Sequence, residues 1–115
     1  MKTSGKLFLA SSIGAVTLAA STAFALAEQA SLSISIKDHR FQPAEIHAPA
    51  NTPITLVVKN LDSTPEEFES KTLRVEKLVA GNGTITMQIR PLAIGRYRFF
   101  GDYHEDTAEG YLVIE

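Results

Sequence analysis

Apolar residues in this chain recur at every second position in short runs, a spacing that builds half-buried strands and leaves no long amphipathic helix. In Ser31 to Lys37, SLSISIK, the side chains of Leu32, Ile34 and Ile36 share one face, with serines and a lysine on the other. Ile54 to Asn60, ITLVVKN, is a second strong strand, and Thr84 to Arg90 sets Ile85, Met87 and Ile89 on one side. Near the end, Tyr97 and Phe99 alternate with Arg96 and Arg98, which predicts solvent-facing arginines, and Tyr111 to Glu115 forms a last strand rich in β-branched and aromatic residues. Turn formers divide these runs: Ala50-Asn51-Thr52-Pro53, the loop Leu61 to Pro65, and Ala80-Gly81-Asn82-Gly83. Glu45-Ile46-His47 is a short extended piece that Pro43 and Pro49 confine to an edge. Leu73 to Val79 satisfies neither period and is expected to be irregular with a short strand. Roughly seven short strands with Gly/Pro/Asn turns predict an all-β, Greek-key β-sandwich.

Residues 1–27 stand apart from this pattern. Lys2 and Lys6 precede a nearly uncharged run from Leu7 to Ala20, and small-x-small sites follow at Ala23-Phe24-Ala25 and Ala25-Leu26-Ala27. That arrangement predicts a cleaved export signal ending at Ala27 and one domain over residues 28–115. No second apolar run follows, so no membrane span is expected after signal removal. The whole chain carries a formal charge of −2, and loss of Lys2 and Lys6 makes the remainder more acidic. Such a balance disfavours nucleic acid and anionic membrane surfaces and favours cations. The chain has no cysteine. Disulfides, lipid attachment, c-type haem, thiol nucleophiles and thiolate metal sites are all excluded, and an oxidising compartment, most simply a periplasm, suits the export signal.

Between the last two strands lie Asp102, His104, Glu105, Asp106 and Glu109, four carboxylates around one imidazole. The cluster reads equally as a solvated acidic turn or as a ligand loop held by rigid strands. Glu66 to Ser70, EEFES, sets a further aromatic residue among carboxylates. Hydrolytic or nucleophilic catalysis is disfavoured, because no serine sits in a Gly-x-Ser-x-Gly turn.

The pattern Tyr97-x-Phe99-x-Gly101-x-x-His104, followed by Glu109-Gly110 and an apolar strand, resembles the C-terminal copper loop of cupredoxins. Asn60-Leu61-Asp62 with Pro65-Glu66-Glu67-Phe68 resembles the segment that supplies the first histidine of that family. The likeness runs from about Leu32 to Glu115. It implies a copper end built from two His, one Cys and an axial Met. Here Glu66 stands at the first His, Gly101 at the Cys, and Glu109 near the axial Met, while His104 keeps its identity. Without a thiolate no type 1 blue-copper centre can form; the donors suit iron, manganese or Cu(II) instead. If Glu66 to Ser70 is extended, Glu66 shares the inward face of Phe68 and points to the ligand end, and Glu67 and Glu69 form an outward pair, either ligands or a solvated face. Of the other histidines, His47 reads as a surface residue and His39 as a possible neighbour of the site.

This altered pattern resembles more narrowly the EfeO-type cupredoxin-like domains, small periplasmic cupredoxins of bacterial iron-uptake systems, in which an acidic Glu-aromatic-Glu strand like Glu67-Phe68-Glu69 also occurs. The resemblance implies a metal site drawn from Glu66, Glu67, Glu69, His104 and Glu109. It also implies a bound iron or copper ion, an inner-membrane iron permease as partner, and at most an accessory ferroxidase-like step. A Cu(II)-binding chaperone and a metal-free interaction domain are the alternatives.

Overall fold

The computed structural model of the chain describes residues 29–115; the expected export signal and its cleavage point lie outside them. Nine strands follow in order: β1 (Ala30–Lys37), β2 (Arg40–Gln42), β3 (Glu45–Ala48), β4 (Ile54–Asn60), β5 (Glu66–Ser70), β6 (Val75–Val79), β7 (Thr84–Ile89), β8 (Gly95–Gly101) and β9 (Glu109–Ile114). One turn of 3-10 helix, Asp102–His104, follows β8. The strands form two mixed sheets, ordered β2-β1-β4-β7 and β3-β9-β8-β5-β6. The β1–β4 and β3–β9 pairs are parallel, and the other pairs are antiparallel. The expected all-β sandwich is the observed architecture.

The alternating apolar residues meet between the sheets. Ile34 and Ile36 of β1, Ile54, Leu56 and Val58 of β4, and Ile89 of β7 face Phe68 of β5, Phe99 of β8, and Leu112 and Ile114 of β9, all buried. Phe41 of β2 crosses the gap. Its ring lies edge-on to Phe68 at 5.9 Å and to Phe99 at 5.0 Å, tying the two sheets close to the loop end.

Two segments differ from the sequence expectation. The ambiguous stretch Leu73 to Val79 contains a regular strand, β6, paired with β5 from Glu66↔Val79 to Ser70↔Val75. It lies at a sheet edge with Glu76, Lys77 and Leu78 exposed, so no buried face imposes a readable period, and Leu73 reaches the core from the preceding turn. The last strand starts at Glu109, two residues before the expected Tyr111, because the pairs Phe100↔Glu109 and Phe99↔Gly110 extend the ladder regardless of side chain. Elsewhere β3 lies at the opposite edge, where Pro43 and Pro49 confine it.

The loops at one end are tied together by side chains rather than by a long helix. Asp38 and His39 close the β1–β2 hairpin with φ of 53° and 59°, the pair of positive angles that a two-residue turn between paired strands uses. Asp62 holds that turn from across the molecule: its Oδ1 accepts the Asp38 amide at 2.8 Å and its Oδ2 the His39 amide at 2.9 Å. Asn60, fully buried, shapes the Asp62 loop by accepting the Asp62 amide at 3.0 Å and donating to the Thr64 carbonyl at 2.8 Å.

Candidate metal centre

Strand β5 alternates as expected. Glu66, Phe68 and Ser70 are buried, while Glu67 and Glu69 lie half-buried on the outer face. Glu66 is 1% exposed, and an ionised carboxylate at that depth must find donors. Its Oε1 accepts the backbone amides of Glu67 at 2.9 Å and Tyr103 at 2.8 Å, and its Oε2 lies 2.7 Å from Nδ1 of His104. The last contact brings together the two residues that the sequence placed at the ligand end.

His104 ends the 3-10 turn, and the turn that follows closes when the Ala108 amide donates to the His104 carbonyl at 2.8 Å. The His39 ring stacks on the His104 ring, with centroids 3.5 Å apart and planes 16° from parallel. His39 is thus a neighbour of His104, a placing that the sequence left open. Nitrogen lone pairs lie in the ring plane, so two stacked imidazoles direct theirs along separate planes instead of toward one point. His39 fixes the pose of His104 and does not join it as a co-donor in this arrangement. Burial opposes ionisation of Asp62, but the amides of His39 and Asp38 and the nearby His39 and Lys37 outweigh it and hold that carboxyl below the usual carboxylate range.

The outer face of β5 holds a second set. Ligand atoms of Glu67, Glu69 and Glu76 all lie within 4.8 Å of one another. Glu69 stands directly opposite Glu76 in the β5–β6 register, a like-charge pairing that destabilises a sheet. Partial burial, then the charges of Glu76, Asp102 and Glu69 and a hydrogen bond with Glu76, hold the Glu67 carboxyl above its ordinary value. Lys71 reaches Glu69 at 3.5 Å, and Arg74 lines the same hollow. Glu76 was missed in the sequence because it sits on the aperiodic strand; only the hairpin register could have placed it.

Glu109 is engaged elsewhere. Its Oε2 accepts Nε of Arg98 at 2.6 Å, and Nη2 of Arg98 also lies 3.7 Å from Glu105. Arg98 lies over the Phe100 ring at 4.7 Å, and its proton is held more tightly by the Glu109 hydrogen bond, against some burial. Of the five residues the sequence put forward, Glu66 and His104 therefore meet inside, Glu67 and Glu69 meet outside with Glu76, and Glu109 pairs with a cation. Arg96 faces outward as expected, and His47 is half-exposed between Glu45 and Glu115, 3.2 and 3.0 Å away.

The inner donors are one carboxylate oxygen and one imidazole nitrogen. They do not fit a thiolate-bound copper: the chain has no cysteine, and the place where a side chain at position 101 would project is taken by Glu66. The pair suits a hard or borderline divalent cation. Among the described residues no helix is long and apolar enough to cross a membrane.

Residues 9–114 match the family model of the cupredoxin-like domain. An uncharacterized protein of Rickettsia prowazekii is 43% identical over 83 residues, 72% of this chain and 66% of that protein, so the match spans just under two thirds of the relative's length. Among solved structures the chain is similar to auracyanin A, a "blue" copper protein of the green thermophilic photosynthetic bacterium Chloroflexus aurantiacus, with a TM-score of 0.66 at 15% identity, covering 76% of this chain and 100% of that one. It is also similar to a purple cupredoxin of Nitrosopumilus maritimus, with a TM-score of 0.54 at 15% identity over 72% of this chain and 98% of that one. At such identities the structural likenesses establish the fold.

Proposed function

The chain belongs to the cupredoxin-like domain family, and from that premise we propose that it is an exported, periplasmic metal-binding protein of the EfeO type, handling ferrous iron for an inner-membrane permease. The family supports a role in metal binding or electron transfer. One observation directs the choice between them. The buried Glu66 carboxylate faces Nδ1 of His104 at 2.7 Å at the ligand end of the sandwich, where the family's soft donors are missing. Glu66 Oε2 and His104 Nδ1 are the atoms that would hold the ion, which would take the place of the proton in the hydrogen bond between them. The two amides on Glu66 Oε1 fix the carboxylate plane, and the His39 stack fixes the ring. Outside, Glu67 and Glu69 of the same strand and Glu76 of β6 form a negative surface that draws cations toward this end. Oxidation of ferrous iron is at most an accessory step.

Anaerobic titration with Fe(II), and with Mn(II) as an air-stable stand-in, tests the reading. Glu66→Gln and His104→Ala should each weaken binding by about 10- to 100-fold, and Lys59→Gln should leave it unchanged. Deletion of the gene should slow ferrous iron uptake in iron-starved cells. A titration in which none of these variants matters leaves the sandwich as a metal-free interaction domain.

A further inference from the structure

The donors present and the thiolate copper implied by the fold disagree most sharply at Gly101. Its backbone is ordinary strand, φ −97° and ψ 113°, which any residue adopts. Chain path therefore does not demand glycine here. Space does. A Cβ at position 101 would stand 2.5 Å from Cδ of Glu66, 2.7 Å from its Oε2 and 2.9 Å from Cβ of Ala108. Neither neighbour is free to yield. Glu66 is held by two amides and an imidazole. Ala108 is fully buried, and its carbonyl accepts the Gly101 amide at 2.9 Å.

We propose that Gly101 is the specificity-determining residue of this site, because the room it leaves is the seat of the Glu66 carboxylate beside His104. A side chain at 101 and an oxygen donor from 66 exclude one another, so the site accepts hard divalent cations only while 101 is glycine. The inference deepens the hard-cation reading above and rests on it.

Mn(II) titration followed by electron paramagnetic resonance tests it, on the purified chain and on Gly101→Ala, Glu66→Gln, Glu66→Ala and the double variant Glu66→Ala/Gly101→Ala. Gly101→Ala should lose Mn(II) affinity as Glu66→Gln does, by about 10- to 100-fold. Its His104 Nδ1 resonance should lose the signature of a hydrogen bond to a carboxylate. In the Glu66→Ala background the methyl meets only the Ala108 Cβ, at 2.9 Å, and there it should cost clearly less in affinity and in unfolding midpoint. The proposal is overturned if Gly101→Ala binds Mn(II) like the unaltered chain, or if the methyl weakens binding equally with and without the Glu66 carboxylate. Should Gly101→Ala fail to fold, the double variant decides: recovery of the fold supports the steric exclusion, and a second failure overturns it. A chain that binds no Mn(II) before any substitution removes the underlying hard-cation reading. Binding that Glu66→Gln abolishes and Gly101→Ala spares removes this proposal alone.

Discussion

The two faces of β5 carry the same acidic residue type and treat it in opposite ways. On the inner face, Glu66 is buried and meets two backbone amides and the His104 imidazole. On the outer face, Glu67 and Glu69 are wetter yet poorly matched, set against Glu76 with one weakly placed lysine nearby. Depth alone does not decide whether a carboxylate strains a fold; the sign and aim of its neighbours do. The inner carboxylate is built into the structure, and the outer ones wait for a counter-charge.

Emptying the inner face should break this contrast with the largest effect. Glu66→Ala leaves two amides and one imidazole, all part-buried, without their partner, and a fully buried orphaned group costs about 1–3 kcal/mol. Chemical denaturation should show a loss at the upper end of that range or above it, accompanied by a mobile His104 ring.

Asp62 supports the inner face from the neighbouring loop, and its removal should come next. Asp62→Ala frees the amides of Asp38 and His39 and should cost roughly 1 kcal/mol, with a weaker His39–His104 stack in the aromatic NMR region. The pH sign follows from the lowered carboxyl. Its contribution is complete above the ordinary carboxylate value of 3.8 and is lost as pH falls through the lower folded value, so the gap between wild type and variant should close only in strong acid.

The outer face should respond in the opposite direction and more weakly. Glu76→Gln removes the charge directly opposite Glu69 and should raise the thermal midpoint slightly in metal-free buffer. The Glu67 carboxyl is raised, so its repulsion acts at neutral pH and is relieved as pH falls through that raised value. The advantage of the variant should shrink over the same interval, and added divalent cation should erase it. A variant no more stable than wild type at neutral pH would show that the outer carboxylates are merely solvated.

Smallest of all should be the effect of His47→Ala on metal affinity, which titration should find unchanged. Cu(II) loading of the unaltered chain should likewise give no intense blue band, since no thiolate is present to donate the charge.

Much of the frame could be read from alternation, and the inner half of the site with it. SLSISIK and ITLVVKN give β1 and β4 because one face of each strand meets the core. The same rule applied to Glu66 to Ser70 put Glu66 beside Phe68 inside. Where only one residue in a strand is buried, the rule has nothing to act on, which is why β6 and its Glu76 were illegible. Glu109 illustrates a different limit. Position in a motif suggested a ligand, but the partner of a surface carboxylate is set by the neighbouring strand, where Arg98 lies diagonal to Glu109 and reaches it. At Gly101 the sequence shows a donor lost; only the packed structure shows that the loss makes room for another.

The ties at the loop end carry a further consequence, for the rate and entropy of capture. Asp62 reaches back to the Asp38–His39 turn, Tyr103 and His104 meet Glu66, and Thr107 donates to the His39 carbonyl at 2.8 Å. These segments are distant in sequence, so their immobilisation is completed when the sandwich folds and none is left for the arrival of an ion. Preorganised donors lose little conformational freedom on binding. A site of this kind would take up and release an ion without refolding a loop, and its backbone amides should exchange with deuterium at the same rates with and without added metal.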